Sequence, residues 1–541
     1  VSWDRLVLEL VRLGVIPLLG VVAAVLTARR LDVGRWEARL GGRAGRLAAA
    51  AGLACLTLFT GLLIARYLTW HSFVLDLGSY DQKIWIAATR PDLSGLLEQT
   101  YRGGVEVPPC GTLRYWGICH FQPLYVGYAL LYRLLPSPLI LLVSQAGLVM
   151  SGVVPCYLLA RERLGSGLLG ALAAALYLLH PAVQYNALLD FRPDHVAIPF
   201  TLWAYLLADR GRPAAAVAAM AVPALAKETL MLSFAGFGLF LAVGRRQRLL
   251  GGAVLVAGCA AFFLVSFLLL GAPQRAEGAL MMDLFFSGGP GFFHPLLLAR
   301  KAVYFAVLLG GFGFLPLLSP WTLAPALPSF AIALLSSEPT HSSIQSQYSA
   351  SAVGPLFAGL LVVLARRSRQ SGDRAMPGRI LAGLVVVAAS LSVALGPVPW
   401  SLNFWSQTLG RQWHYTQYLP DRQSVLEGAE RLIPADPGVM VVTQNDLNSA
   451  RLAHRHFYFA FPAGLERADY VFLDTRRMPF VYSVPKDRDL YEDLVRRLRG
   501  SPEYRAVVDR DGVLLLARAG PRRPGPPDAA ALPPMPRILL P

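Results

Sequence analysis

The amino-acid sequence predicts an all-α polytopic membrane protein that ends in a small α/β domain. Three observations carry this reading. Of 541 residues, 55% are hydrophobic and only 16% are charged, against roughly 25% charged in soluble domains, and the mean hydropathy is +0.47. The apolar residues fall in repeated runs, and about 17–25 of them cross the hydrocarbon as a helix. These runs lack the two-residue alternation of barrel strands, the only other spanning structure a bilayer admits. From about residue 401 the pattern changes to short segments of soluble character.

The first apolar run, Leu6 to Leu26, is too long for a signal-peptide core, lacks a cleavage pattern and reads as a span. Arg29, Arg30, Arg35, Arg39, Arg43 and Arg46 follow against only Asp32 and Glu37, the bias of a cytoplasmic loop. A second span, about Leu47 to Trp70, then puts the polar interval 71–122 outside. Phe121 to Leu135 is short and aromatic, as expected of an interfacial or re-entrant segment. Beyond it, apolar runs alternate with basic turns at Arg161-Glu162-Arg163, Asp209-Arg210-Gly211-Arg212, Arg245-Arg246-Gln247-Arg248 and Arg366-Arg367-Ser368-Arg369. All of these turns count to the inner side, which gives about twelve spans with both ends outside. The net charge of +16 is thus explained by topology-setting arginines, and no nucleic-acid partner is expected.

Three domains follow: a transmembrane part over 1–400 with its first large outer loop at 71–122, an extracytoplasmic α/β domain over 401–520, and a Pro- and Arg-rich disordered tail over 521–541. Within the second, Val439 to Thr443 and Tyr470 to Asp474 read as buried strands. Leu490 to Leu498 has helical spacing, and Tyr504 to Val508 with Val513 to Ala517 form a hairpin through Asp511-Gly512. Cys55, Cys156 and Cys259 lie in apolar runs, whereas Cys110 and Cys119 lie in the polar interval. In an oxidising compartment that pair closes a disulfide; otherwise both are free thiols.

The candidate chemistry sits at the outer ends of the spans. Asp76, Asp81, Lys83, His120, Asp190, Arg192, Asp194, His195, Lys227, Glu228, Glu338 and His341 all count to that face. Taken singly, each is read most simply as a solvated or salt-bridged loop residue. Gathered at a membrane boundary, such groups are costly unless paired or functional. Carboxylates beside Lys, Arg and His suit a reaction in which a base activates an acceptor while cations hold a phosphate. A metal site from Asp190, Asp194 and His195 is conceivable, yet no HxH or HExxH spacing supports it, and there is no Walker loop, G-x-S-x-G or CxxC.

Five segments carry a resemblance over about residues 60–365: Leu75-Asp76-Leu77-Gly78-Ser79-Tyr80-Asp81-Gln82, His120-Phe121-Gln122-Pro123, Leu189-Asp190-Phe191-Arg192-Pro193-Asp194, Ala226-Lys227-Glu228 and Gln347-Tyr348-Ser349-Ala350. In these the chain resembles a prokaryotic family of predicted membrane proteins grouped with GT-C-type glycosyltransferases. The resemblance implies a polyprenyl-phosphate-linked sugar donor, a membrane lipid environment, and an acid in the first outer loop as catalytic base or metal-assisting group. Asp81 is favoured over Asp76 as the more solvent-directed, although Asp76 is closer to the span. His120, Asp190, Arg192, Asp194, His195, Lys227, Glu228 and Tyr348 become candidates for phosphate or sugar contact. No cofactor is required, and a divalent cation is compatible with the resemblance. Three positions depart from the pattern: Cys119 and Thr229 stand where acids are common, and Arg192 where His is common. These departures weaken a metal role more than a phosphate role. The competing readings are a transporter or flippase of an amphipathic solute and a non-catalytic assembly or sensory protein. Sugar, acceptor and oligomeric state are not specified by the residues.

Overall fold

The computed structural model describes residues 3–72, 74–89, 121–269, 295–336, 339–405, 420–436, 439–444, 447, 456–458, 461, 465, 468–476 and 485–521. Cys110, Cys119, His120 and Glu338 lie outside the described residues, as does nearly all of the tail. Among the described residues, six helices are long and apolar enough to cross a membrane: Val7–Arg30, Val33–Leu68, Pro138–Leu164, Arg248–Ser266, Gln347–Ser371 and Met376–Leu395. A seventh arises if Gly167–Leu179 and Pro181–Leu188 form one span, bent by 56°. Shorter apolar helices occupy Pro213–Ala224, Glu228–Gly244 and Pro320–Leu335. The first basic loop is less of a loop than its arginines suggest, because Val33–Leu68 is a continuous run of helix.

The 56° bend has a local cause. Pro181 lacks the N–H that would continue the ladder and opens the next helix at its first position. His180 caps that helix by accepting from Ala182 N at 3.2 Å, and its ring stacks on Phe312 at 4.7 Å.

The chain forms two compact units. The first comprises Val1–Leu62, His120–Leu124 and Val143–Trp413. Its helices approach through small residues, because lipid offers no hydrophobic drive to association and close backbone contact supplies it instead. A Cβ on Gly20 would lie 2.0 Å from Ser390 Oγ, and one on Gly383 would lie 3.2 Å from Ala24 O. The hairpin of Glu228–Gly244 and Arg248–Ser266 is tighter still, with hypothetical Cβ atoms on Gly238, Gly251 and Gly258 falling 2.4, 2.3 and 2.7 Å from backbone nitrogens opposite. Polar turns close one end of this unit. Arg163 and Arg245 both pair with Asp209, the latter at 3.3 Å, and Arg210 pairs with Glu162 at 2.6 Å. Three basic turns assigned to one side by their arginines therefore meet on one side.

The second unit comprises Leu63–Cys119, Tyr125–Leu142 and His414–Pro541. Its sheet has five strands, β1 (Met440–Thr443), β2 (His456–Tyr458), β3 (Tyr470–Asp474), β4 (Tyr504–Arg510) and β5 (Val513–Arg518), in the order β2-β1-β3-β5-β4. β1 runs parallel to β2 and β3, whereas β5 is antiparallel to β3 and β4. Asp511 and Gly512, at φ 53° and 80°, make the two-residue turn of the expected hairpin. Alternation along the strands sends Val441, Phe472, Val513 and Leu515 to one face and Val442, Val471, Leu473, Leu514 and Leu516 to the other. The helix Pro420–Arg431 contributes Leu426 and Ala429 to the first core, and Pro485–Arg499 contributes Tyr491 and Val495 to the second. Trp70, just past the end of a candidate span, is wholly buried in the first core and meets Phe472 edge-on at 5.9 Å.

The glycine packing makes a sharp prediction. Gly251→Ala places a methyl group into the backbone of the facing helix and lowers stability by about 1–3 kcal/mol, whereas Gly252→Ala meets nothing within 4 Å and is neutral. Thermal unfolding of the two variants in detergent checks this; equal midpoints would refute the packing.

Candidate functional site

The first unit gathers four of the segments singled out in the sequence. After the helix Pro181–Leu188 the chain turns through Leu189–Arg192 into a short 3-10 turn, Pro193–Val196. Gln145, from the first third of the Pro138–Leu164 helix, pins that turn: it donates to Leu189 O at 2.6 Å and accepts from Arg192 N at 2.9 Å. Proline at the first position of the 3-10 turn and this amide together place Asp194 and His195 inward, where both are buried.

Lys227 arrives from another direction. It is the extended residue preceding the helix Glu228–Leu239, and its Nζ lies 3.8 Å from Asp194 Oδ1, with side-chain exposures of 8% and 10%. The separation is long for an ion pair, so Asp194 offsets the lysine charge less than a close contact would. The Tyr348 ring lies under the ammonium, 5.3 Å from Nζ to centroid. His341 packs edge-on against that ring at 4.2 Å and shares a hydrogen bond with Ser336 Oγ at 2.7 Å. Tyr348 belongs to the Gln347–Ser349 turn, and Ser349 Oγ accepts from Asn186 Nδ2 at 3.0 Å. The segment around Phe121 joins through Glu228, whose Oε2 accepts from Phe121 N at 3.2 Å, and through Leu124 N donating to Leu225 O at 3.0 Å.

The two histidines of this cluster are not cations near neutral pH. Burial lowers His195 to about 4, against the raising effects of the Arg192 carbonyl and Asp194. Burial also lowers His341 to about 4, aided by the charge of Lys227. The His195 Nδ1–H donates to Arg192 O, which makes Nε2 the acceptor nitrogen of the neutral ring. An acceptor suits a hydroxyl better than a phosphate oxygen. Among the described residues no group of three or more His, Cys, Asp or Glu side chains is placed to hold a metal ion. Asp194 turns to Lys227 and His195 to a carbonyl, so the Asp190, Asp194 and His195 set does not fit a cation.

The second unit holds the acids of the first outer segment. The turn Val74–Gly78 leads directly into the helix Ser79–Thr89, and five residues of helical winding send Asp76 and Asp81 to different sides. The expectation that Asp81 is the more solvent-directed is wrong: Asp81 is 1% exposed, while Asp76 is only partly buried. The helix Tyr125–Leu134 packs alongside, with Tyr80 edge-on to Tyr125 at 5.7 Å. Tyr132, itself buried, donates to Asp81 Oδ1 at 2.5 Å. Asp81 Oδ2 is buried with no hydrogen-bond partner among the described residues. Burial pushes the Asp81 carboxyl up to about 7, and the Tyr132 hydrogen bond restrains the rise. A carboxyl balanced near neutrality, with one oxygen held and the other unoccupied, has the form of a general base.

Asp194, Lys227, Tyr348 and His341 are thus brought into one cluster, with His195 at its edge. Asp190 is buried nearby in sequence, and the half-buried Arg192 contributes its backbone to the turn. Gln145 escaped the sequence reading because it sits within an apolar run; an amide there was the available signal.

The buried pair generates a double-variant test. Asp194→Ala removes a buried countercharge of the lysine and lowers stability by about 1–3 kcal/mol, and adding Lys227→Met recovers part of the loss. Unfolding midpoints of the four proteins give the coupling; strictly additive effects would mean the two charges do not interact.

No curated protein matches this chain. Two solved structures are similar, both of ArnT from Cupriavidus metallidurans. The apo form is 15% identical, with a TM-score of 0.43 over 87% of this chain and 98% of that one. The form bound to undecaprenyl phosphate is 15% identical, with a TM-score of 0.47 over 85% of this chain and 97% of that one. These scores are too low to bear on the fold or the chemistry. The sequence match is decisive instead: residues 71–515 fit the family described as "Predicted membrane protein (DUF2079)", and the chain belongs to that family.

Proposed function

We propose that this chain is a GT-C-type membrane glycosyltransferase that moves a sugar from a polyprenyl phosphate to a lipid, glycan or protein acceptor. The observation that carries the reading is the Asp81 carboxyl, fully buried yet titrating near neutrality, with Oδ1 held by Tyr132 and Oδ2 without a hydrogen-bond partner among the described residues. The motif resemblance and the buried Lys227 cluster support it.

In this mechanism Asp81 takes the proton of the acceptor hydroxyl as that oxygen bonds to the anomeric carbon. The bond from the same carbon to the phosphate oxygen breaks, and polyprenyl phosphate departs with the electron pair. Within the first unit, the Lys227 ammonium is of the kind that offsets the negative charge of a phosphate. In the same unit, neutral His195 is suited to accept from a hydroxyl. The protonated Asp81 then returns its proton to water. This reading puts the active face and the α/β domain outside the cytoplasmic membrane of a bacterium or archaeon and expects about twelve crossings; among the described residues six or seven candidate spans and three shorter apolar helices are present.

The carboxyl gives this proposal a pH signature. Its folded-state value near 7 lies above the roughly 4 of an unfolded aspartate. The folded state therefore holds the proton more tightly, and stability falls as pH rises through that window. Transfer, which needs the ionised form, rises over the same window. Asp81→Asn should lower the transfer rate at least about 10²-fold while raising the thermal midpoint at pH 8. Tyr132→Phe should move the acidic limb of the rate profile to higher pH. The readouts are transfer to an acceptor from a radiolabelled polyprenyl-phosphate sugar and the lipid-linked sugars that accumulate in cells bearing Asp81→Asn. Undiminished transfer, or unchanged glycan pools on deleting the gene, would exclude this enzyme and favour a transporter or scaffold.

A further inference from the structure

We propose that the arginine-bearing end of the helical unit carries a pocket for the phosphate headgroup of an anionic membrane phospholipid. A cavity of about 930 Å³ opens there, lined by Arg46, Arg161, Arg210, Tyr157, Ser166 and the bare backbone around Gly42. That volume is typical of small-molecule sites.

The charges in the pocket are not mutually cancelled. Two acids line it, Glu37 and Glu162, and both are committed. Glu37 accepts from Ser166 Oγ and from Leu168 N at 3.1 Å, closing the N-terminus of the helix Gly167–Leu179. Glu162 is held by Arg210 through contacts of 2.6 to 3.2 Å. Arg46 and Arg161 are exposed and pair with no carboxylate among the described residues. Two guanidinium forks with unspent donors therefore border one cavity, and that fork matches phosphate geometry. A Cβ on Gly42 meets nothing within 4 Å, so the backbone there stands open to a ligand.

The surroundings favour a lipid over a soluble anion. Arg46 is the third residue of the helix Ala44–Leu68, which lies within a candidate span. Leu47 and Leu53 on that helix are 50% and 64% exposed, and they offer apolar surface up to about 10 Å further along the helix axis. The N-terminal part of the same continuous helix, Val33–Leu40, presents exposed Arg35, Trp36 and Arg39, the residue types enriched where a helix passes the headgroup layer. A phosphate at Arg46 and Arg161 would thus have its acyl chains beside Leu47 and Leu53.

The test uses the full chain purified in detergent, with phosphatidylglycerol and phosphatidylcholine titrated in mixed micelles and bound lipid read by native mass spectrometry. Phosphatidylglycerol should bind preferentially. The R46Q/R161Q variant should lose about tenfold or more of that affinity. Gly42→Trp, which fills the open floor and leaves every arginine in place, should lose it as well, so failure of the double variant to fold does not end the test. Equal phosphatidylglycerol affinity in wild type and Gly42→Trp would overturn the pocket. Inorganic phosphate competing at a concentration equal to that of the lipid would assign a soluble anion and overturn the lipid.

Discussion

A charge removed from water must be neutralised, coordinated or deprotonated, and in this protein that requirement organises nearly everything polar. Lys227 is tolerable at its depth because Asp194 and the Tyr348 ring face it. Asp81 is tolerable because it can hold a proton and because Tyr132 supplies a short hydrogen bond. His195 and His341 meet the same demand by giving up their charge. Each solution leaves a group whose state responds to a small perturbation. That is the condition under which buried ionisable groups become useful for chemistry rather than merely expensive.

The scaffold supplies those environments by interrupting its helices. The 56° bend at His180-Pro181 ends one helix early, and the chain then turns through Leu189–Arg192 to deliver Asp194. Lys227 stands in extended backbone between Pro213–Ala224 and Glu228–Leu239. Non-helical backbone at such depth survives only where its polar groups find partners. Gln145, Ser329 and Ser349 do that work for the turns at 189–192 and 346–348. The same breaks explain why several apolar helices are shorter than a full crossing.

At the opposite end of the helical unit the arginines serve two purposes. Arg163, Arg210 and Arg245 tie neighbouring helix ends to Asp209 and Glu162. Arg46 and Arg161 are not used in this way, and they border a cavity lined also by Gly41, Gly42 and Gly45. A charge bias that orients a chain during insertion can thus also leave a recognition surface behind.

Much of this was legible in the residues themselves. Apolar length and charge scarcity determined the helical membrane class, because hydrophobic thickness and backbone satisfaction leave few alternatives. Strand alternation and Asp511-Gly512 determined the hairpin, and three of the quoted segments supply Asp194, Lys227 and Tyr348 to one cluster. Tertiary structure decided the rest. Which of Asp76 and Asp81 is buried depends on where the helix Tyr125–Leu134 packs, and no local pattern encodes that. The pairing of Lys227 with Asp194, the role of Gln145 and the burial of Trp70 among strands some four hundred residues later in the chain arise from contacts between distant segments. Local sequence sets the character of each segment, but the electrostatic environment of a side chain belongs to whatever the fold brings against it.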